Sequence, residues 1–378
     1  MRVIQRTWTE ANGWHNGPPA AADGAQLVLL FGGTKQISEA RWMAELRKAC
    51  PAAHVFGCST AGEIAGTSVS DDAVVATAVT FERTPIKLAH VRLSDVKDST
   101  DAGARLATSL PQQGLRHVFV ISDGAKVNGS ELVRGLLAAL PPGVQVTGGL
   151  AGDGARFERT LIVAGDTPIE GSVGAIGLYG DAIKVGYGSL GGWDPFGPER
   201  AVTRSEGNVL FELDGRPALE LYKSYLGEHA SGLPATGLLF PLQIRRKGDA
   251  ETLVRTILAV DEATGSMTFA GDVPTGATAQ LMKANFDRLV DGASGAAKTS
   301  ALTLAGSKPE LAILISCVGR KLVLKQRTEE EVEAVEEVLG AGTPMTGFYS
   351  YGEICPAAPN ANCQLHNQTM TITTFSEP

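Results

Sequence analysis

Cysteine is scarce in this sequence. Its 378 residues include five cysteines, at positions 50, 58, 317, 355 and 363. An odd and dispersed set does not suit a disulfide framework, and none of its spacings is the tight C-x₂₋₄-C of a structural zinc site. We therefore expect reduced thiols, no bound metal and a cytoplasmic protein.

Basic charge is also in short supply. The chain has 33 Lys and Arg against 41 Asp and Glu, which gives a net charge of -8. A protein that binds the phosphate backbone needs a basic face, so nucleic acid is not an expected partner. The local basic run Arg245-Arg246-Lys247 is the one exception, and beside a strand such a run more often marks a solvated edge.

Long apolar runs are missing. The runs 27–31 and 311–315 fall far short of the roughly 20 residues that span a membrane. The first residues lack the apolar core of a signal peptide. We expect neither a membrane segment nor a targeting segment.

A sizeable folded core is, by contrast, well supported. Hydrophobic residues make up 43% of the chain and charged residues 20%, which is typical of globular proteins. The length fits two domains. We predict two mixed α/β domains, over residues 1–215 and 216–378.

The order strand, helix, strand occurs three times along the chain. The predicted elements are strand 27–31, helix 37–50 and strand 55–56; strand 117–122, helix 129–140 and strand 144–147; and strand 311–317, helix 328–339 and strand 345–348. Thr328 and Glu331 predict a capping box at the start of the last helix.

Each of these units runs into a glycine-rich segment. The segments read GCSTAGEI (57–64), GGLAGD (148–153) and GFYSYGEI (347–354). The first and third share Gly, Gly, Glu and Ile at the same offsets. A match of pattern and context indicates internal duplication.

Loops at the carboxyl ends of parallel strands are where α/β sheets bind ligands. Polar residues at these ends and at related strand ends are therefore candidate ligand-binding residues; they are Ser59, Thr60, Glu63, Asp123, Asn128, Asp153, Cys317, Tyr349, Tyr351, Glu353, His366 and Asn367. A purely structural interpretation stays open, because glycine-rich strand ends are often only tight turns.

An amino acid would suit such a site. Its carboxylate needs a cationic donor, which Arg320 could supply, and its ammonium needs an acceptor such as Glu63 or Glu353. The alternative for Arg320 is an ordinary salt bridge with one of the glutamates at 329–331.

Several motifs resemble the FIST family. VFGCSTAGEI and GGLAGD resemble its N-terminal half; ALELYKSYLG, LPATGLLFPL, FAGDVPTGATAQLMKANFDRL, ISCVGRKLVL and GFYSYGEI resemble its C-terminal half. The resemblance implies a sensory module that binds small molecules such as amino acids and acts with kinases, cyclases or chemotaxis receptors. We expect no such output domain on this chain, and therefore a separate partner protein and no enzymatic activity.

Two alternatives to this sensor remain open. Cys58 or Cys317 could be the nucleophile of an enzyme. The family resemblance also implies a haem-based gas sensor, for which His229 and His366 are the candidate ligands. A dinucleotide site at 186–191 is excluded, because the following segment GWDPFGP cannot begin a helix.

Overall fold

The computed structural model of the protein describes residues 1–20, 24–248, 252–358 and 361–378. It is a mixed α/β structure. Among the described residues, no helix is both long enough and apolar enough to cross a lipid bilayer.

The elements follow in chain order. The strands of the first half are β1 (Arg2–Thr9), β2 (Gly13–Trp14), β3 (Leu27–Gly32), β4 (His54–Ser59), β5 (Glu63–Ala65), β6 (Ser68–Ser70), β7 (Val74–Thr80), β8 (Ile86–Arg92), β9 (Leu115–Ser122), β10 (Gln145–Leu150), β11 (Ile162–Ala164), β12 (Pro168–Ile169), β13 (Ser172–Tyr179) and β14 (Lys184–Leu190). Those of the second half are β15 (Trp193–Glu206), β16 (Val209–Leu213), β17 (Arg216–Pro217), β18 (Leu242–Arg245), β19 (Leu253–Arg255), β20 (Ile257–Asp261), β21 (Ser266–Phe269), β22 (Thr278–Ala284), β23 (Leu311–Cys317), β24 (Met345–Ser350), β25 (Gly352–Pro356), β26 (Cys363–His366) and β27 (Met370–Ser376). The helices are α1 (Thr34–Glu39), α2 (Met43–Ala49), α3 (Ser99–Ser109), α4 (Gly129–Ala139), α5 (Ala218–Leu226), α6 (Phe286–Thr303), α7 (Val318–Leu324) and α8 (Thr328–Leu339), with short 3₁₀ turns at Leu93–Asp95, Gly227–Gly232, Ala235–Leu239 and Lys325–Arg327.

Three sheets share one plan. Sheet I has the order β12-β11-β4-β3-β7-β1-β2, sheet II β26-β25-β10-β9-β13-β8 and sheet III β14-β27-β23-β24-β5-β6. Each contains one parallel pair, β3 with β4, β9 with β10 and β23 with β24. The first strand of each pair is flanked by an antiparallel strand, β7, β13 or β27. The three predicted strand-helix-strand units are thus the centres of three sheets.

The sheets exchange hairpins in a cycle. The hairpin β5-β6 follows β4 of sheet I in the chain but pairs with β24 of sheet III. In the same way β11-β12 follows sheet II and pairs with sheet I, while β25-β26 follows sheet III and pairs with sheet II. Strands from both halves of the sequence therefore interlock, and we call sheets I, II and III with their helices the three-sheet body.

A fourth sheet is built from one stretch of chain. Sheet IV has the order β19-β18-β22-β15-β16-β21-β20, with β17 beside β16. All its strands lie between Trp193 and Ala284. This stretch has its own apolar core, formed with α5 and including Tyr222, Leu242 and Phe269.

One apolar core lies among sheets I, II and III. It draws Phe31 and Phe56 from sheet I, Phe119 from sheet II and Phe348 from sheet III. The rings of Phe31 and Phe348 lie 4.8 Å apart between centroids, and those of Phe56 and Phe119 lie 6.2 Å apart. These contacts hold the three sheets together, since burial of large aromatic surfaces dominates core energetics.

The sequence of helix α4 explains where the helix begins, which face it buries and where it ends. Asn128 caps it by accepting hydrogen bonds from the backbone N–H groups of Ser130 and Glu131, at 3.0 and 3.3 Å. Its buried face carries Leu132 and Leu136 at helical spacing. Pro141 and Pro142 follow its end, as the sequence predicts.

Two local predictions were wrong. The predicted helix 37–50 is two short helices, α1 and α2, because the chain turns at Ala40 with a φ of 49°. The predicted capping box is not formed: Arg327 is the N-cap of α8, and the hydroxyl of Thr328 donates to the carbonyl of Lys325. The carboxylate of Glu331 instead accepts from Arg320 at 2.8 Å.

Candidate functional site

The glycine-rich strand ends of the three units meet in one place, which we call the exit ring (residues 57–63, 148–154 and 347–353). Three backbone hydrogen bonds link the segments in a cycle. The N–H of Ala61 donates to the carbonyl of Tyr349 at 2.8 Å, that of Gly152 to Ser59 at 2.9 Å and that of Tyr351 to Leu150 at 3.2 Å. The loops that end the three units are therefore in direct contact with one another.

Close backbone packing explains the glycine that begins each segment. Gly57 lies opposite Leu30 in the parallel register, and a Cβ there would lie 1.6 Å from the carbonyl oxygen of Leu30. Gly148 and Gly347 occupy the same register position in their sheets, each with a Cβ position 1.8 Å from a neighbouring carbonyl oxygen. Only glycine fits at these three positions.

The two predicted ring glutamates are buried and hydrogen-bonded. Glu63 accepts from the hydroxyl of Thr60 at 2.5 Å and from the N–H of Ala73 at 3.1 Å. Glu353 makes the equivalent bonds, from the hydroxyl of Ser350 at 2.7 Å and from the N–H of Thr369 at 3.1 Å. Each carboxyl group thus ties its loop to the residue that precedes a closing strand.

Burial raises the pKa of both carboxyl groups to about 8. The hydrogen bonds from Thr60 and Ala73 to Glu63, and from Ser350 and Thr369 to Glu353, act in the opposite direction without cancelling it. Both groups are therefore protonated in the folded protein at neutral pH.

In sheet II, a different carboxylate links the unit to the residue that precedes its closing strand. Asp123 accepts from the N–H of Gly171 at 2.9 Å and also from the N–H groups of Ala125 and Lys126. Asp153 accepts from the hydroxyl of Thr34 at 2.8 Å and pairs with Arg156.

Two further predicted ring residues are anchored to backbone groups. The hydroxyl of Ser59 donates to the carbonyl of Gly152 at 2.8 Å. The Tyr351 hydroxyl accepts from the N–H of Phe157 at 3.0 Å.

Arg320 is part of a buried ion pair. Its side chain and that of Glu331 are both 0% exposed and approach to 2.8 Å. The guanidinium also donates to the carbonyls of Gly191 and Leu289, and the Tyr349 hydroxyl donates to Glu331 at 2.7 Å. Of the two interpretations left open by the sequence, the salt bridge with a glutamate at 329–331 is confirmed.

The thiols of Cys58 and Cys317 are enclosed. Burial raises the pKa of both well above the usual range, with Glu63 adding to the effect at Cys58 and Glu353 at Cys317. A raised pKa leaves little thiolate to act as a nucleophile. In the part of the chain that the structure describes, no histidine hydrogen-bonds either thiol, and no cluster of His, Cys, Asp and Glu suits a metal ion.

The candidate haem ligands do not fit a haem. His366 is buried, and its Nε2 lies 2.9 Å from the carbonyl oxygen of Cys355. His229 is exposed and lies beside the ring of Phe240. Neither histidine faces an apolar cavity large enough for a macrocycle among the cavities found in the described residues.

An open cleft lies elsewhere, between α4, β26 and the β18-β19 edge of sheet IV. Its main cavity has a volume of about 260 Å³. The lining residues are Ser130, Val133, Arg134 and Leu137 from α4, Arg246, Leu253 and Arg255 from sheet IV and its loop, and Asn362, Cys363, Gln364 and Leu365 beside and in β26. A smaller cavity that shares Arg246 and Arg255 adds Asp272 and Pro274. We call these two cavities together the arginine cleft.

Arg255 is the central group of the arginine cleft. It is 2% exposed, and its Nε and Nη1 donate to the carbonyls of Asp272 and Leu365 at 3.1 and 3.0 Å. Its Nη2 makes no hydrogen bond to any residue that the structure describes. Burial lowers the pKa of Arg255 to about 10; Asp272 opposes this shift and Arg246 adds to it.

Three predicted site residues adjoin this cleft. The side-chain amide of Asn128 donates to Asp272 at 3.1 Å. Asn367 accepts from the N–H of Thr256 at 3.3 Å, and His366 ends β26. They connect the cleft to the core; they do not line it.

Sequence reasoning missed the lining residues themselves. From the sequence, the basic run 245–247 is interpreted as a solvated edge. In the structure, Arg246 of this run lines the cleft. Arg255 gives no local signal, because its partner Leu365 lies 110 positions away in the chain.

Two mycobacterial proteins are similar to this chain. "Uncharacterized protein Rv0628c" of Mycobacterium tuberculosis is 29% identical over 247 residues, and "Uncharacterized protein Mb0898c" of Mycobacterium bovis is 29% identical over 249 residues. Each match covers 62% of this chain and 61% of the relative. The chain thus spans less than two thirds of the length of these relatives.

A solved structure, cyanuric acid hydrolase from A. caulinodans, matches 78% of this chain and 99% of its own at 10% identity. Its TM-score of 0.18 is too low to indicate a shared fold.

The sequence matches to family profiles are extensive. The FIST N domain profile matches residues 26–216, and the FIST C domain profile matches residues 218–356. FIST domains are associated with signal transduction and small-ligand sensing. The predicted resemblance is confirmed, and this chain belongs to the FIST family.

Proposed function

We propose that this protein is a sensor that binds an amino acid or a similar carboxylate metabolite in the arginine cleft and passes the signal to a separate protein. One observation carries the proposal: the buried guanidinium of Arg255 borders an open cavity, and one of its nitrogens is unpaired among the described residues. This nitrogen is not one of the fully enclosed polar atoms that lack a partner, so it is accessible from the cavity and can donate to an acceptor that enters there. A carboxylate is the acceptor that a guanidinium fork fits best.

The cleft also has the mixed character of a ligand site. Val133, Leu137 and Leu253 supply an apolar wall, while Arg255 and Arg246 supply charge. Small-molecule sites combine apolar walls with a few convergent polar groups in this way.

The exit ring is the other candidate location for the ligand. Its predicted binding groups already have partners: Ser350 donates to Glu353, Thr60 to Glu63 and Tyr349 to Glu331. A ligand would have to displace these buried bonds, which costs more than occupying an open cleft. We therefore place the ligand in the arginine cleft and assign the ring to folding.

Binding in the cleft would link two parts of the molecule. Sheet IV carries Arg246, Arg255 and Leu253, whereas α4 and β26 belong to the three-sheet body. A ligand that contacts both sides favours the arrangement in which they are close, and a partner protein that recognises this arrangement would receive the signal. A kinase, a cyclase or a chemoreceptor would be such a partner.

We favour binding over catalysis, and we place the protein in the cytoplasm. The thiols proposed as nucleophiles are enclosed, with raised pKa values. All five cysteines are buried and lie outside any disulfide, which suits a reducing compartment.

A thermal-shift screen of amino acids and carboxylate metabolites tests this proposal. A ligand present at a hundred times its Kd should add about 2.7 kcal/mol to the stability of the protein. The shift should be lost in Asn362→Trp, which places a large side chain at the exposed mouth of the cleft. The matched control is Lys247→Trp, at an exposed position that does not line the cleft. A ligand that protects Asn362→Trp as well as the wild type would contradict the proposed location.

A further inference from the structure

Among the described residues that line the arginine cleft, the charges do not balance. Arg134 pairs with Asp272 at 2.7 Å, which accounts for the one carboxylate in the lining. Arg246 and Arg255 form no ion pair with any residue that the structure describes. Glu131 lies near Asp272 and Arg134 but lines neither cavity. Within the described part of the chain, two positive charges therefore remain without a counter-charge.

The two unbalanced guanidiniums face the same space. Arg246 and Arg255 line both cavities of the cleft, and the charge of Arg246 disfavours the charged form of Arg255. Like charges held close together destabilise the empty site, and negative charge placed between them removes the repulsion. An isolated carboxylate would neutralise one of the two guanidiniums and leave the other.

Asp272 is not free to bind a ligand ammonium. One of its carboxylate oxygens accepts from Asn128 at 3.1 Å and the other from Arg134 at 2.7 Å. The cleft is thus better supplied with groups for anions than with groups for cations. This balance favours a ligand of net negative charge over a neutral zwitterion.

We propose that the arginine cleft is selective for a small organic dianion, whose two anionic groups are bound by Arg255 and Arg246. The inference rests on the proposed function, since it names the ligand class of the same site. A short dicarboxylate has this chemistry. An acidic amino acid also has two carboxylates, although its ammonium cancels one of the two charges, and a phosphate monoester carries both charges on one group that the two guanidiniums would share. The apolar residues Val133 and Leu253 would contact the carbon chain between the anionic groups. A volume of about 260 Å³ restricts the ligand to a small molecule.

Isothermal titration calorimetry of the full chain with matched pairs of compounds tests this class. The pairs are glutarate and its monoamide, glutamate and glutamine, and glycerol 3-phosphate and glycerol, all at one ionic strength. We expect the dianionic or more acidic member of a pair to bind at least about tenfold more tightly, because it gains a second charge-assisted contact. Preference for glutarate or glutamate would identify a carboxylate ligand, and preference for glycerol 3-phosphate a phosphate ester.

Arg246→Gln is the decisive variant, because Arg246 is exposed and its replacement should not disturb folding. The ratio of affinities for glutarate and its monoamide should fall to near one, while the monoanionic monoamide keeps its affinity through Arg255. Glycerol 3-phosphate should lose affinity as well, since one of the two guanidiniums that bind it is removed. Lys247→Gln removes the same charge from the neighbouring exposed position, which lines neither cavity, and should preserve the ratio.

Two results would overturn the inference. If no dianion binds the wild type, or if the monoamide and glutamine bind as tightly as their acidic partners, the cleft does not select two negative charges. The proposed function fails separately: it fails when a ligand that stabilises the wild type is unaffected by Asn362→Trp. A neutral amino acid that stabilises the wild type and is excluded by Asn362→Trp would support the sensor and refute the dianion.

Discussion

The exit ring and the arginine cleft differ in how their polar groups are used. In the ring, Glu63, Glu353 and Arg320 are buried and have intramolecular partners. In the cleft, Arg255 is equally buried yet keeps a nitrogen that no described residue pairs with, and Arg246 is exposed with no ion-pair partner in the same described ranges. The ring contains the glycine-rich motifs that stand out in the sequence, whereas no sequence motif marks the residues that line the cleft. A conspicuous motif can thus mark a demanding piece of packing, whereas the proposed ligand site is distinguished by a polar group that the described residues leave unpaired.

The largest expected effect comes from breaking the buried pair in the three-sheet body. Arg320→Gln leaves the carboxylate of Glu331 buried without its cation and should lower the free energy of unfolding by about 3–5 kcal/mol. Arg246→Gln in the cleft removes the same kind of charge and should change it by less than about 0.5 kcal/mol. Urea titration of both variants measures the contrast. Similar losses in the two variants would mean that Arg246 also serves folding.

The next effect concerns the glycines of the ring. Gly347→Ala would place a methyl group 1.8 Å from the carbonyl oxygen of Leu314, and we expect a loss of about 3 kcal/mol, at the upper end for overpacking. Gly342 has no atom within 4 Å of its Cβ position, so Gly342→Ala is a matched control that should be close to neutral. Thermal unfolding compares them. An unchanged melting temperature for Gly347→Ala would refute the close packing of the ring.

The smallest of the three effects is a dependence of stability on pH. The pKa of Glu353 is raised from 4.5 to about 8 by folding, so the folded state binds a proton that the unfolded state releases between these values. This contribution to stability is fully present below pH 4.5 and is lost as the pH rises through 8. Glu353→Gln mimics the protonated carboxyl group and should remove this share of the pH dependence, on the order of 2 kcal/mol between about pH 6 and 8.

The same variant distinguishes the two roles considered for Glu353. Urea titrations of wild type and Glu353→Gln at about pH 6 and pH 8 measure the difference. Glu63→Gln should behave in the same way, since Glu63 has equivalent partners in its own unit. If Glu353→Gln keeps the pH dependence but weakens the response to ligand, Glu353 serves binding, as its place in the sequence predicts.

The common plan of sheets I, II and III supports the duplication that the sequence indicates. The registers that place Gly57 opposite Leu30, Gly148 opposite Val120 and Gly347 opposite Leu314 are equivalent. We propose that three units descend from one ancestor. The second unit is the hardest to recognise in the sequence, because Asp123 there replaces the loop glutamate as the partner of the closing strand.

Elements with strong periodicity were predictable from the sequence. The helix over Thr328–Leu339 and the strand over Leu311–Cys317 have the predicted bounds. The turn that divides the predicted helix 37–50 was not predictable, because it depends on the positive φ of Ala40, a residue with no intrinsic preference for that conformation. The role of Glu331 was likewise missed, since its partner Arg320 lies on a different helix.

The sequence by itself determined the α/β class, the three strand-helix-strand units and the family, because periodicity and local motifs are properties of neighbouring residues. Only the tertiary structure decided which strand a hairpin joins, since pairing such as that of β5 with β24 depends on residues far apart in the chain. The same holds for the cleft. Arg255 becomes a candidate binding residue only when β19, β26 and α4 come together to form the cleft. In the folded chain its Nε and Nη1 bind distant carbonyl groups, and the described residues leave its Nη2 without a partner.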